Sequence, residues 1–177
     1  MAENAPGSDG RELLYENEFW RFSLRVYSQD EVAKECLSLQ EVLLGLDVNI
    51  LLFCAWLGTR SIVLSRELIE TACQVTASWQ DNIVGPLRRV RQHLKTQGDT
   101  FASLRTRIKA LELEAEQIEQ AMLFAYARNV LESSVSTRSG DAIAQNVSEY
   151  IAMKAGSMSS PHQFAAPVLI RTVQRIT

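Results

Sequence analysis

Seven apolar residues in the second half of the chain, Leu104, Ile108, Leu111, Ala115, Ile118, Met122 and Ala125, recur at alternating intervals of four and three. A heptad seam three repeats long predicts a helix packed lengthwise against another. Before it, Leu68, Ala72, Val75, Trp79, Ile83, Leu87, Val90 and Leu94 hold helical phase through Pro86, where the rod either kinks or breaks tightly. Only the short turn at 97–100 separates the two runs, so they fold back as an antiparallel hairpin, about 65–97 against 100–133. The 177 residues include 8 glycines and 4 prolines, too few for the many turns of a sandwich or barrel. With 46% hydrophobic and 22% charged residues, the composition is not that of a disordered chain. The expected fold is all-α: a single bundle of five or six helices built on the long hairpin.

The remaining helices are shorter. One is expected at about 18–27, burying Phe19, Trp20, Phe22, Leu24 and Tyr27, followed by a capping box in Ser28-Gln29-Asp30-Glu31. Val32, Cys36, Leu39 and Leu43 form the buried stripe of the next, which Gly45 ends. Asp47 caps an apolar helix over 48–57, with Gly58 as a left-handed residue at its end. Ten helical residues rise about 15 Å, half of a hydrocarbon core of about 30 Å, so this is a core helix and not a membrane span. Ser65 caps the first arm of the hairpin, and Asp141 caps a short helix with Ile143, Val147 and Ile151 inward. The end, from Val168 to Ile176, reads as either a docking helix or a loose tail. The organisation expected is a disordered leader over 1–16, a helical domain over 17–155 and a flexible C-terminal extension over 156–177. Cys36, Cys54 and Cys73 lie in apolar stretches without metal or redox spacing, which predicts buried free thiols. The start lacks the basic and apolar regions of a secretory signal, so the expected location is the cytoplasm.

Charge is distributed unevenly. The net −3 conceals a local +6 over residues 83–110, where Arg88, Arg89, Arg91, Lys95, Arg105, Arg107 and Lys109 face Asp99 alone, leaving −9 elsewhere. The hairpin gathers these cations at one tip, with His93 beside them. Arginine suits bidentate contacts to oxyanions, so the tip is a candidate site for an acidic protein partner or a phosphate backbone. The competing reading is a solvated face paired with acids on other helices. Phe101 is the only aromatic residue in the region, which weakens the nucleic-acid option. Glu112, Glu114, Glu116 and Glu119 are expected opposite about 81–85, too far from the arginines to neutralise them, and read as a wet helix face.

Signatures of catalysis are missing from the chain: no glycine-rich nucleotide loop, no Gly-x-Ser-x-Gly and no His-Glu-x-x-His. Neither histidine belongs to a Glu-x-x-His pair. No catalytic, cofactor-binding or metal-ligating residue is therefore assigned. Gln40, Asp47 and Asn49 are polar residues in the apolar middle of the chain. With Trp56 they are candidates for a ligand pocket, although Asp47 and Asn49 also suit capping. Trp20, Trp56 and Trp79 read as core anchors whose indole N–H groups need partners such as Gln40.

The pattern Phe19-Trp20-x-Phe22, Cys36-Leu37-x-Leu39-Gln40 and Gly45-x-Asp47-Val48-Asn49-x-Leu51-Leu52-Phe53 resembles an uncharacterised helical family of proteobacteria, filed as a domain of unknown function. Trp79, Pro86-Leu87-Arg88, Arg91 and Leu111-Glu112-x-Glu114-Ala115-Glu116 extend the likeness over about residues 17–135. It implies a bacterial, cytoplasmic, helical protein and carries no reaction, cofactor or site residue. The function expected first is a non-catalytic interaction protein that binds an acidic partner through the arginine-rich tip; the alternatives are a small-molecule-binding domain with an apolar pocket near Gln40, Asp47, Asn49 and Trp56, and an RNA- or ribosome-associated factor. The heptad seam is satisfied either within the chain or across a homodimer.

Overall fold

Most helices begin where a side chain can satisfy their first free amides. Asn17 accepts from the amide of Trp20 at 2.8 Å and opens α1 (Glu18–Tyr27). Asp47 accepts from the amide of Asn49 at 2.8 Å and opens α3 (Val48–Gly58), and Ser65 opens α4 (Arg66–Trp79). Asp141 does the same for α7 (Ala142–Ala155), accepting from Ala144 at 3.1 Å. The expected capping box does not form. Ser28 closes α1 instead, its hydroxyl donating to the Arg25 carbonyl, and α2 (Asp30–Val42) starts without a side-chain cap. The computed structural model describes residues 13–43, 45–133, 141–156 and 164–176, and every regular element among them is helical. With α5 (Gly85–Thr96), α6 (Ala102–Ser133) and α8 (Pro167–Ile176) there are eight α-helices among the described residues, more than the expected five or six.

α4 and α5 form one continuous rod, joined by a π turn at Gln80–Val84. Pro86 stands just beyond the π turn, in the first turn of α5, and donates no backbone hydrogen bond back into it. The wider π turn takes up an extra residue and rotates the helical segment beyond it. The buried stripe therefore runs Ile69, Ala72, Thr76 and then Val84, whereas Ile83, in phase by simple counting, is exposed. A single 3-10 turn at Asp99–Phe101 precedes α6. The rod is antiparallel to α6: Tyr126 donates to the Leu68 carbonyl, Trp79 to the Ala115 carbonyl and Arg88 to Glu112.

The heptad seam does not mark the buried face of α6. Leu104 and Leu111 are 43% and 50% exposed, and of the seven seam residues only Ala115 is buried. The face turned inward is Glu112, Ala115, Glu119, Leu123, Ala127 and Val130. Apolarity alone pointed to the wrong side because two carboxylates lie on the right one.

At the centre is α3, buried on every side from Asn49 to Gly58, as a helix apolar all round must be. Phe53 and Trp56 pack with Phe19 of α1 and Phe124 and Tyr126 of α6 in an aromatic cluster. α7 lies against α3 so closely that a Cβ on Gly58 would stand 2.5 Å from the Cα of Ile143. Gly58 is thus required by close approach rather than by the left-handed backbone expected for it; it belongs to the helix itself. The chain end is a docking helix: Leu169 and Val173 of α8 are fully buried, and Glu35 of α2 accepts from the amides of Val168 and Leu169 at 3.0 and 2.8 Å. Residues 1–12 of the expected leader, 134–140 within the expected helical domain and 157–163 of the expected extension lie outside the described residues. No helix among the described residues is long and apolar enough to cross a membrane.

Candidate binding cavity

Between α1, α2, the start of α3, α5 and α6 lies a cavity of about 560 Å³. Its apolar walls are Trp20, Leu24, Tyr27, Leu37, Val48, Leu52 and Leu113. Its polar residues include Ser23, Gln40, Asn49, Arg88, Arg91, Lys109, Glu112, Glu116 and Gln120. Exposure separates floor from rim: Ser23, Asn49, Leu52 and Gln120 are buried, while Leu24, Leu37, Lys109 and Leu113 face solvent. It is a half-open cleft whose size, with apolar walls and polar side chains side by side, is compatible with a small-molecule site.

The floor is built on a one-way chain of hydrogen bonds. Glu119 is 0% exposed, and burial pushes its carboxyl up to about 10; neighbouring Asp47 adds to this and the Asn49 amide opposes it. Glu119 is therefore a neutral acid at neutral pH. Oε1 of Glu119 is buried and has no hydrogen-bond partner, and Asp47 is close enough to favour the protonated form. Oε2 accepts from Asn49 Nδ2 at 2.8 Å, and Asn49 Oδ1 accepts from Gln120 Nε2 at 2.8 Å. Gln120, which lines the cavity, ends the chain, and its Oε1 is buried without a partner. Ser23, also a lining residue, has a hydroxyl that is buried without a partner.

The wall toward α5 is an ion-pair cluster. Arg88 donates to Glu112 at 3.1 Å and to Glu116 at 2.7 Å, and Arg91 also pairs with Glu112. Burial alone would raise the Glu112 carboxyl, but hydrogen bonds from Arg91 and Arg88 outweigh it and hold the group low. At Glu116 burial prevails over Arg88 and the carboxyl is raised.

Residues 18–123 match the model of a family described as a protein of unknown function (DUF2390). The chain belongs to this family. Every residue lining the cavity falls inside the matched span, which covers most of the 17–135 stretch where the likeness was read. No curated protein and no solved structure matches the DUF2390 chain significantly.

The residues singled out from sequence are distributed across this architecture. Of the four pocket candidates, Gln40 and Asn49 line the cavity. Asp47 stands behind the floor as the α3 cap, its own amide donating to the Tyr150 hydroxyl at 2.8 Å. Trp56 is in the aromatic cluster, with the Arg60 guanidinium 4.2 Å above its ring. The partner of an indole N–H is the Ala115 carbonyl, reached by Trp79 at 2.9 Å, whereas Gln40 donates to Leu46. Of the tip residues, Arg88 and Arg91 are ion-paired, against the expectation that the glutamates lie out of reach. Glu112 is only about three residues, or 4.5 Å, beyond level with Arg88, well within the span of an extended arginine. Arg89, His93, Lys95, Arg105, Arg107 and Lys109 form no ion pair among the described residues. The wet glutamate face is likewise corrected: Glu112 and Glu119 are buried, Glu116 is half-buried and Glu114 alone is exposed. Nothing in the sequence neighbourhood of Ser23 and Gln120 distinguishes them, and Tyr27 reads there only as a core residue. The thiols offer no reactive group to the site: burial raises Cys36 to about 12 and raises Cys54 and Cys73 also.

Proposed function

We propose that this DUF2390 chain is a non-catalytic small-molecule-binding protein whose ligand occupies the cavity beneath α1 and the α5–α6 hairpin. The observation that carries the reading is the cleft itself, about 560 Å³ in volume, where Trp20, Tyr27 and Leu52 come together with Gln40, Asn49 and Lys109. Three free cysteines, each with its thiol raised by burial, suit a reducing compartment such as the cytoplasm. The test is native mass spectrometry of protein purified gently from its own host, alongside a Leu113→Trp variant that fills the mouth. A bound mass found in the wild type and missing from the variant supports the reading. An empty wild type whose thermal stability matches that of the filled variant across a metabolite library refutes it.

A second reading keeps the hairpin tip as a docking surface for an acidic protein. α5 has no buried residue, so the tip stands clear of the core, and Arg89, Lys95, Arg105 and Arg107 remain unpaired there. An acidic partner captured from host extract by the wild type but not by Arg89→Glu/Arg107→Glu supports it. Co-purifying RNA in its place refutes it.

A further inference from the structure

The first half of the α6 seam lacks a full partner inside the chain. Its apolar residues alternate between two heptad positions: Ile108 and Ala115 at one are half-buried and buried, while Leu104 and Leu111 at the other are largely exposed. The cleft is lined by Arg88 and Gln92 of α5 and by Lys109 and Leu113 of α6. At 100° per helical residue, Val90 on α5 and Leu104 and Leu111 on α6 each point about 140° or more away from the cleft-lining residues of their own helix. They therefore share the back of the hairpin. Glu112 stands about three residues beyond level with Arg88, which sets exposed Val90 beside about 107 and exposed Ile83 beside about 114. The result is an apolar strip two helices wide, extending about 20 Å along α6 from Leu104 to half-buried Ile118. Each heptad also carries one charged residue at the outer edge of this strip, and its sign alternates: Arg107, then Glu114. Both are exposed, and neither forms an ion pair among the described residues.

We infer that the back of the hairpin is a homodimer interface, on which a second copy of this chain packs antiparallel along α6. The charges select this occupant and this direction. With the twofold axis near Leu111, Arg107 of each copy meets Glu114 of the other, and a symmetric contact is made twice. Leu111 then meets its own counterpart and Leu104 meets Ile118 of the second copy. A parallel pairing would lay one basic tip beside the other, with like charges opposed. The interface leaves the cleft open, because the residues lining it lie on the other side of the hairpin, and it depends on neither function proposed above. So short a strip makes a weak dimer, with a dissociation constant on the order of 10 μM. Sedimentation equilibrium of the full chain, over concentrations up to about 1 mM, measures it. The wild type is expected to reach twice the mass of the chain, and Leu111→Glu to stay monomeric with its helical circular dichroism unchanged. Arg107→Glu alone and Glu114→Arg alone should each weaken self-association about tenfold, since each opposes like charges at both pairs. Mixed together, these two variants restore both pairs and should associate with each other about as tightly as the wild type, as should the double variant with itself. A wild type that is monomeric throughout overturns the interface, and so does a dimer that survives Leu111→Glu. Single variants that dimerise like the wild type, or a mixture that fails to associate, overturn the antiparallel pairing.

Discussion

Glu119→Gln should stabilise this protein, and by an amount that grows with pH. Glutamine reproduces the neutral acid atom for atom: its N–H₂ can donate to Asp47 and its oxygen can accept from Asn49 Nδ2 as Glu119 Oε2 does. The substitution removes a proton uptake. In the unfolded chain the carboxyl ionises near 4.5, while in the folded chain it keeps its proton to about 10. Since the native state binds the extra proton between those values, stability falls as pH rises through that window and is flat below it. Each pH unit is worth about 1.4 kcal/mol, so at pH 7 the wild type forfeits on the order of 3 kcal/mol and at pH 5 less than about 1 kcal/mol. The pH 7 figure needs only that the folded carboxyl stays protonated there, not the height of its upper limit. Urea unfolding of both proteins at pH 5, 7 and 9 measures the difference directly. A gap that stays constant from pH 5 to 9, or a variant uniformly less stable, means that Glu119 is ionised in the fold and the proton assignment is wrong.

Three further substitutions probe other parts of the structure. Ser23→Ala removes a buried hydroxyl without a partner, so the ligand-free protein should gain about 1 kcal/mol in urea unfolding; a loss of that size would reveal a partner for Oγ. Gly58→Ala sets a Cβ against the Ile143 backbone, where neither helix can yield cheaply, and should cost about 1–3 kcal/mol; unchanged stability would show that α7 is free to move away from α3. Glu35→Ala strips both amide contacts from the start of α8, so limited trypsinolysis should cut at Arg171 faster than in the wild type, with the helix cap worth about 1 kcal/mol; equal cleavage rates would mean that Leu169 and Val173 alone hold the helix.

Local chemistry was legible where it acts within one turn of helix. Asp47, Ser65 and Asp141 cap the helices they were expected to cap, because a cap depends on a side chain and an amide two or three residues away. The α2 stripe of Val32, Cys36, Leu39 and Leu43 is buried as its spacing requires. Phase failed over longer distances. The π turn at Gln80–Val84 changes the number of residues per turn without any residue that advertises it, so the stripe slipped from Ile83 to Val84. On α6 an apolar seam and a polar face were judged by composition, and the polar face proved to be the buried one.

That last reversal marks the division between chain and fold. Helical class, helix starts and the short turn of the hairpin follow from backbone hydrogen bonding and local side-chain chemistry, which the order of residues determines directly. Whether a glutamate is solvated or buried depends on what another part of the chain brings within about 3 Å of it. Asn49 lies 70 residues from Glu119, Gln120 lies 71 from Asn49, and Arg88 lies 24 from Glu112. Only tertiary packing brought these groups together. It turned four expected surface glutamates into one neutral acid, two ion-pair partners and a single solvated charge.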